Sequence, residues 1–214
     1  MGDDPEVVRR NLELLAEAAG VAPASVVAVT QVHGDRVVHA SDANPQTEAD
    51  ALWTLTAGVA VGVRTADCVP ILFEDRKTGA VAAVHAGWRG VIAQIAARTV
   101  EALVAQGSDP SDLHVAIGPC IQRCCFEVDG DLPARFRGAF GDEVIAPQPG
   151  KDRVHLDLPR AVAMTLARWR VPEGQVVALP QCTHCDDRFF SHRREQGRTG
   201  RHLSFITCVP AAGL

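Results

Sequence analysis

Short runs of β-branched and apolar residues, each closed by turn residues, constrain the fold of this chain most. Gly, Asp, Asn and Pro separate these runs, which predict strands over residues 26–30, 36–39, 59–64, 69–73 and 80–85. Further strands are predicted over residues 113–117, 175–179 and 203–208. Because the strands come in runs and do not alternate regularly with helices, we expect an α+β fold in which helices flank a mixed β-sheet core.

Helical periodicity and its punctuation predict the elements that flank this sheet. Asp4 as the N-cap, Pro5 in the first turn and Gly20 at the end delimit a first helix. Longer helices are predicted over residues 91–106 and 158–170, and a short one over residues 132–140 within the otherwise irregular stretch 118–156. Neither a repeat nor a linker divides the 214 residues, so residues 1–214 are expected to form a single domain.

Composition and charge exclude several classes of protein. The chain has no apolar run of the ~18 residues that a membrane span needs, and its N-terminus lacks the apolar segment of a secretory signal. A net charge of −5 argues against general nucleic-acid binding. Seven cysteines without a secretory signal indicate reduced thiols, so a cytoplasmic location is expected, with neither a membrane nor a nucleic acid as partner. The oligomeric state stays open.

Reactive side chains gather in three short stretches at the ends of predicted strands. These are QVHGD at 31–35, RTADC at 64–68 and VHAGWRG at 84–90, which carry His33, Cys68 and His85. Strand ends are where a rigid scaffold commonly presents functional groups. The separations of 35 and 17 residues match no compact metal motif. Spacing alone therefore leaves these residues open between metal ligation, an inert buried thiol and ordinary turn or capping histidines.

Five stretches resemble, in order, those of the YfiH family, which is also called the laccase-domain, polyphenol oxidase or peptidoglycan editing factor family. They are QVHGD, TADCVPILFED, VAAVHAGWRG, AIGPCIQRCCFEV and FFSHRREQGRTGR. The resemblance extends from Gly2 almost to the C-terminus and implies a purine nucleoside phosphorylase with adenosine deaminase activity. Members of the family usually carry a few tens of residues before the motif that begins at Gly2. We therefore expect that segment to be missing here, and its loss would affect an edge strand and part of the substrate pocket.

The resemblance implies that His33, Cys68 and His85 bind one zinc ion and form the catalytic centre. Such a ligand set leaves a fourth tetrahedral position for water, whose pKa zinc lowers to ~7. The expected substrates are purine nucleosides, with phosphate as the co-substrate of phosphorolysis and water as that of adenosine deamination. Asp50 and Asp67 are candidate partners for an N–H group of a ligand histidine.

Arginine side chains in the family-like motifs are the candidates for binding phosphate, because a guanidinium contacts two phosphate oxygens at once. The candidates are Arg64, Arg89, Arg193 and Arg194. Arg64 and Arg89 rank first, since each neighbours a proposed metal ligand in the sequence.

Three other interpretations compete with this one. Copper is disfavoured, because the eight histidines include no His-x-His pair of the kind that feeds the mononuclear and trinuclear centres of multicopper oxidases. A cysteine hydrolase or amidase would use Cys68 as nucleophile and His85 as base, on a small cell-wall precursor for example. A non-enzymatic metal or redox sensor would use its cysteines to bind a partner.

The remaining cysteines are given a structural role or none. Cys182 and Cys185 form a CxxC, but the chain has no second CxxC, so a four-thiolate metal site is not expected. Cys120, in the stretch that also holds Cys124 and Cys125, is expected to be structural.

Overall fold

A six-stranded mixed sheet lies at the centre of the structure, a computed structural model that describes residues 4–147 and 153–208. In chain order the strands are β1 (Val26–Val27), β2 (Val37–His39), β3 (Ala51–Thr54), β4 (Ala60–Thr65), β5 (Val69–Asp75), β6 (Val81–Ala86), β7 (Leu113–Ile117), β8 (Glu127–Val128), β9 (Ile145–Pro147), β10 (Val154–Leu156), β11 (Val176–Ala178) and β12 (His202–Thr207). The helices are α1 (Pro5–Ala18), α2 (Trp88–Ile92), α3 (Ile95–Val104), α4 (Leu132–Phe140) and α5 (Leu158–Arg168). The Gly2-Asp3 start of the family-like N-terminal motif lies outside the described residues.

The central sheet mixes parallel and antiparallel strands, which confirms the predicted α+β class. Its spatial order is β11-β7-β5-β6-β3-β2. Strand β6 is antiparallel to both β5 and β3, whereas β2 pairs with β3 and β11 with β7 in parallel. Two smaller sheets, β1-β4-β12 and β8-β10-β9, accompany it.

Strand β6 is buried on both faces, because each face packs against a different layer. Ala82 and Val84 belong to the larger apolar cluster, which includes Ile95 of α3. Ala83, on the opposite face, joins a second cluster with Val61 of β4. The central sheet therefore lies between helices on one side and the β1-β4-β12 sheet on the other.

Several predicted elements are confirmed, and their punctuation is visible. The carboxylate of Asp4 accepts the N–H of Glu6 at 2.9 Å, and Pro5 is the first helical residue of α1. The carboxylate of Asp157 caps α5 in the same way by accepting the N–H of Arg160. The short helix α4 occupies the predicted residues 132–140.

Other elements differ from the prediction. The single helix expected over 91–106 is divided into α2 and α3, because Gln94 takes a left-handed conformation with φ of 64°. Strand β3 was not predicted, and the strand expected over 26–30 contains only Val26 and Val27. None of the helices within the described ranges has both the length and the apolarity needed to cross a lipid bilayer.

Candidate metal centre and substrate cavity

His33, Cys68 and His85 converge in the structure, although 35 and 17 residues separate them in the sequence. Their ligand atoms all lie within 4.8 Å of one another. The two imidazole rings meet edge to face, with centroids 4.7 Å apart and planes at 81°. This cluster is one of two groups of potential metal ligands within the described part of the chain.

The register of β5 and β6 brings Cys68 and His85 together. Val69 pairs with Ala86 across the two antiparallel strands, so Cys68 and Gly87 lie side by side just beyond the paired ends. A Cβ atom on Gly87 would lie 3.2 Å from Sγ of Cys68 and 3.0 Å from Cδ2 of His33. Glycine at this position therefore leaves the two side chains the space that they need.

Asp50 organises both histidines from a fully buried position. Its Oδ1 accepts Nδ1–H of His85 at 2.7 Å. The same carboxylate accepts the backbone N–H groups of Val32, His33 and Gly34 at 3.2, 2.9 and 2.7 Å. Four donors on one carboxylate thus fix the turn that carries His33 and the ring of His85. The structure thus confirms the prediction that Asp50 accepts an N–H group of a candidate ligand histidine.

The turn that carries His33 is held in a further way. The Gln31 side chain donates to the carbonyl oxygen of Arg64 at 2.8 Å and accepts its backbone N–H at 2.7 Å, which ties the turn to β4. His33 itself has a left-handed backbone with φ of 60°. A non-glycine residue in this region costs free energy, and such residues concentrate at functional sites where the surroundings hold them in place.

Charge in this cluster favours a cysteine thiolate. Burial raises the pKa of Cys68, but hydrogen bonds from His33 and His85 and their positive charge outweigh it and lower this pKa to about 7. Burial lowers the pKa of His85, whereas its hydrogen bonds to Asp50 and Cys68 raise this pKa to about 9. Burial also raises the pKa of Asp50, but the hydrogen bond and charge of His85 and the backbone N–H groups of Gly34 and His33 together outweigh it, so the Asp50 pKa is lowered overall. The thiolate is the form that binds a metal or attacks a carbonyl.

The three side chains fit a catalytic zinc ion. Two imidazoles and one thiolate are a ligand set that zinc accepts while a fourth position stays open. Because Nδ1 of His85 donates to Asp50, its Nε2 is left to ligate, and a carboxylate on the far nitrogen is the usual arrangement behind a zinc-binding histidine.

Asp67 has a different role from the predicted one. Its carboxylate accepts the hydroxyl groups of Thr183 at 2.6 Å and Ser191 at 3.1 Å and the backbone N–H of Arg193 at 2.6 Å. These bonds anchor the long loop between β11 and β12 beside Cys68. The prediction that Asp67 partners a histidine is therefore wrong, because loop donors occupy its oxygens.

A cavity of about 610 Å³ opens on the three candidate ligands. This volume is within the usual range for a small-molecule site. Apolar and aromatic side chains form part of its wall, and arginines form another part. The lining residues include Val29, Trp88, Ile121, Phe126 and Leu158, together with Arg64, Arg89, Arg193 and Arg201.

Three of the four predicted phosphate-binding arginines line this cavity. Arg64 and Arg89 are exposed, and neither has a carboxylate within 4.0 Å among residues 4–147 and 153–208. The guanidinium of Arg89 stacks on Trp88 at 4.5 Å. Arg193 donates to the carbonyl oxygen of Glu127 at 2.9 Å and lies over Phe126. Sequence reasoning missed Arg201, the last residue of the FFSHRREQGRTGR stretch that also holds Arg193.

The prediction for Arg194 needs correction, because this side chain does not belong to the cavity lining. Its Nη1 donates to the carbonyl oxygens of Thr183, His184 and Asp186 at 2.8 to 3.2 Å, and its Nη2 donates to Glu195 at 2.7 Å. Donors committed in this way hold the loop and do not reach an anion in the cavity.

The expectation that no four-cysteine group forms is also wrong. Cys124, Cys125, Cys182 and Cys185 place their sulfur atoms within 4.8 Å of one another. The adjacent residues Cys124 and Cys125 supply the two thiols that a second CxxC would supply. Cys120 is buried and forms a β-bridge with Cys182, which agrees with its predicted structural role.

Similarity to known proteins extends over nearly the whole chain. Residues 1–209 match the family described as multi-copper polyphenol oxidoreductase laccase. A purine nucleoside phosphorylase of Deinococcus radiodurans is 41% identical over 204 residues, which are 95% of this chain and 78% of the relative. The adenosine deaminase RL5, from an unidentified prokaryote, is 35% identical over 219 residues, which cover 96% of this chain and 84% of that protein.

A solved structure gives the same result for the fold. The crystal structure of the YfiH protein of Bacillus licheniformis aligns with a TM-score of 0.86 at 31% identity, covering 94% of this chain and 80% of that one. The order of the motifs, the mixed sheet and these matches agree with one another. The chain therefore belongs to the YfiH-like family described as multi-copper polyphenol oxidoreductase laccase.

Proposed function

We propose that this protein is a zinc-dependent purine nucleoside phosphorylase that also deaminates adenosine. The observation that carries the proposal is the cluster of His33, Cys68 and His85 on the wall of a cavity that arginines also line. Relatives named purine nucleoside phosphorylase and adenosine deaminase support both activities. The substrate class is the purine nucleosides, and phosphate is the second substrate of phosphorolysis.

The three ligands would hold zinc at the edge of the cavity. Zinc bound there supplies a Lewis acid and a water molecule of lowered pKa. Asp50 keeps the ring of His85 oriented by accepting its Nδ1–H, and Gly87 leaves room for Cys68 and His33. Hydrogen bonds and packing of this kind determine whether a ligand side chain is oriented toward the metal.

Phosphorolysis draws on the arginines. Arg64 and Arg89 are exposed at the cavity and lie in the same sequence stretches as Cys68 and His85, so their guanidinium groups are suited to bind phosphate through two oxygens. A phosphate oxygen forms a bond to C1′ of the ribose, and the bond between C1′ and the purine nitrogen breaks. The purine leaves with the bonding electron pair and takes up one proton. Trp88 and Phe126 offer aromatic surface for the base.

Deamination uses the same cavity without phosphate. The oxygen of water forms a bond to C6 of adenosine, the bond between C6 and the amino nitrogen breaks, and ammonia leaves. Adenosine and water are thus converted into inosine and ammonia. This reaction involves no phosphate, so it does not require the arginines to bind an anion.

We propose zinc and not copper as the metal. The second group of potential ligands found in the described ranges consists of four cysteines without a histidine. Among residues 4–147 and 153–208, the many histidines of a trinuclear copper centre therefore do not assemble beside the first group. Imidazole and thiolate ligands in a three-residue set suit zinc.

One observation favours a second candidate function, a cysteine hydrolase or amidase. The pKa of Cys68 is lowered to about 7 beside two histidines, which is the environment of a nucleophilic cysteine. In this case the thiolate would attack the carbonyl of a small amide such as a cell-wall precursor. Zinc on the same sulfur would block that attack, so metal content separates the two functions.

The test combines metal analysis with product identification. The protein is expressed in the cytoplasm of its host, purified without a chelator and assayed for zinc. It is then incubated with adenosine or inosine, with and without phosphate. We expect zinc to be bound, inosine to form from adenosine in both buffers, and free base with ribose 1-phosphate to form only with phosphate. Turnover of an amide by zinc-free protein, without nucleoside turnover, would establish the hydrolase instead. Bound zinc with no turnover of either class would indicate a binding protein.

A further inference from the structure

The second cluster of cysteines is the strongest unassigned feature of the molecule. We propose that Cys124, Cys125, Cys182 and Cys185 bind a second zinc ion, which has a structural role and joins two irregular loops. This inference does not depend on the proposed nucleoside chemistry. It rests on the positions of the four thiols and on how the loops that carry them meet.

The distances fit a closed metal site. Four sulfur atoms at ~2.3 Å from one zinc ion lie roughly 3.8 Å apart in a tetrahedron. In the structure Sγ of Cys185 lies 3.6 Å from that of Cys124 and 3.1 Å from that of Cys125, and all four sulfurs lie within 4.8 Å of one another. Four thiolates with no open position are the usual ligand set of structural zinc.

Backbone contacts hold the two loops in the register that the site needs. Cys120 and Cys182 form a parallel β-bridge, and the N–H of Thr183 donates to the carbonyl oxygen of Cys120 at 3.0 Å. The N–H of Gln122 donates to Sγ of Cys182 at 3.4 Å. The N–H of Asp186 closes the CxxC turn on the carbonyl oxygen of Cys182 at 3.0 Å. Hydrogen bonds to a sulfur atom stabilise the thiolate that a metal requires.

The position of the cluster indicates what a metal would stabilise. The loop from residue 179 to 201 has no helix or strand, and loops of this length usually need a functional or structural explanation. Thr183, between the two cysteines of the CxxC, donates its hydroxyl to Asp67, which precedes Cys68. Phe126, which follows Cys125, lines the substrate cavity. A metal on the four thiols would therefore fix two walls of that cavity.

A disulfide is the main alternative for these thiols. The sulfur atoms of Cys125 and Cys185 are separated by 3.1 Å, beyond the ~2.05 Å of a covalent bond. All seven cysteines lie in the described ranges, where none of them forms a disulfide. A single disulfide would use only two of the four cysteines. Zinc would use all four.

The experiment counts zinc in protein purified from zinc-containing medium. The comparison includes the wild type, Cys68→Ala, the double variant Cys182→Ser/Cys185→Ser, and the control Cys208→Ala, which alters a cysteine outside both clusters. We expect two zinc ions per chain in the wild type and the control, and one in Cys68→Ala and in the double variant. One ion in the wild type and none in Cys68→Ala would overturn the proposal.

Cobalt provides a second readout that does not require the double variant to fold. Co²⁺ is exchanged into Cys68→Ala, in which the first cluster retains no sulfur ligand. We expect an intense thiolate-to-cobalt charge-transfer band and the visible bands of a tetrahedral ion. Absence of these bands would contradict the site. A thiol titration would also contradict it if protein purified under reducing conditions contains no zinc and two of the four cysteines are oxidised. Neither result depends on nucleoside turnover.

Discussion

Nδ1 of His85 lies 2.7 Å from Oδ1 of Asp50, and both side chains are at least 96% shielded from solvent. Because the same carboxylate also accepts the N–H of His33, it links two candidate ligands that are far apart in the sequence. The variant Asp50→Asn would place an amide group against these donors. We expect its zinc affinity at this site to fall 10- to 100-fold, as when other partners of ligand histidines are changed.

Competition with a chromogenic chelator measures this affinity. The matched control is Asp35→Asn, which removes the same charge from an exposed ion pair with Arg98. The control is expected to bind zinc like the wild type. Equal affinities for wild type and Asp50→Asn would show that the buried carboxylate does not position the ligand.

The variant Cys68→Ala tests whether metal at the first cluster is catalytic and not structural. We expect loss of zinc from this cluster and of nucleoside turnover, with cooperative unfolding retained, because a chain of this length buries enough apolar surface to fold without a metal. Circular dichroism during thermal unfolding and metal analysis check the two parts. A non-cooperative transition in the variant would instead assign the ion to the fold.

The variants Arg89→Ala and Arg64→Ala separate the two reactions. Loss of a charge-assisted contact to phosphate costs about 1.5–3 kcal/mol, or roughly a ten- to hundredfold decrease in phosphorolysis. Deamination is expected to change less, since it involves no anion. Chromatography of adenine, hypoxanthine and inosine, with and without phosphate, measures both rates. Arg98→Ala, an arginine outside the cavity lining, is the control, and equal losses in both reactions would contradict phosphate binding by Arg64 and Arg89.

The variant Arg194→Ala is expected to affect stability more than phosphate binding. Its Nη1 donates to three backbone carbonyls of the loop that contains the CxxC, and its Nη2 donates to a fourth, that of Phe189. Removing these donors costs about 3 kcal/mol in unfolding free energy, or roughly 6–12 °C in Tm for a domain of this size. Differential scanning calorimetry gives the shift. An unchanged Tm with a raised KM for phosphate would restore Arg194 to the anion site.

The variant Gly87→Ala tests the space beside the first cluster. The added Cβ would lie 3.0 Å from the His33 ring and 3.2 Å from the Cys68 sulfur, so the ligands would have to shift. The backbone of Gly87 suits alanine, with φ of −71°. The effect is therefore steric, and we expect about a tenfold loss of zinc affinity at this cluster. Gly138→Ala, where a Cβ meets no atom within 4 Å, is the control and should leave affinity unchanged.

Much of the first cluster was predictable, because its residues mark the ends of recognisable strands. Cys68 precedes β5 and His85 lies near the end of β6, so strand patterning alone placed both near strand ends. What patterning does not supply is register. The pairing of Val69 with Ala86, and the reach of Asp50 to the His33 turn, are tertiary facts. Spacing left open whether His33, Cys68 and His85 meet, and only the resemblance to a family predicted that they do.

Other features were hidden for identifiable physical reasons. Strand β3 has four residues and begins with alanine, which has a low strand propensity, so its neighbours β2 and β6 determine it. The break at Gln94 carries no Gly or Pro signal, and its side chain itself donates to the carbonyl oxygen of Val91. The cysteine group was missed because Cys124 and Cys125 are adjacent and meet the CxxC across some 60 residues.

The register of β5 and β6 has a consequence for the order of events during synthesis. Before these strands pair, the segments that carry His33, Cys68 and His85 have no reason to be near one another, since 35 and 17 residues separate them. An emerging polypeptide therefore presents isolated side chains, each a weak ligand. The complete three-ligand site therefore exists only once the sheet has formed. Binding by all three side chains together is thus a property of the folded chain.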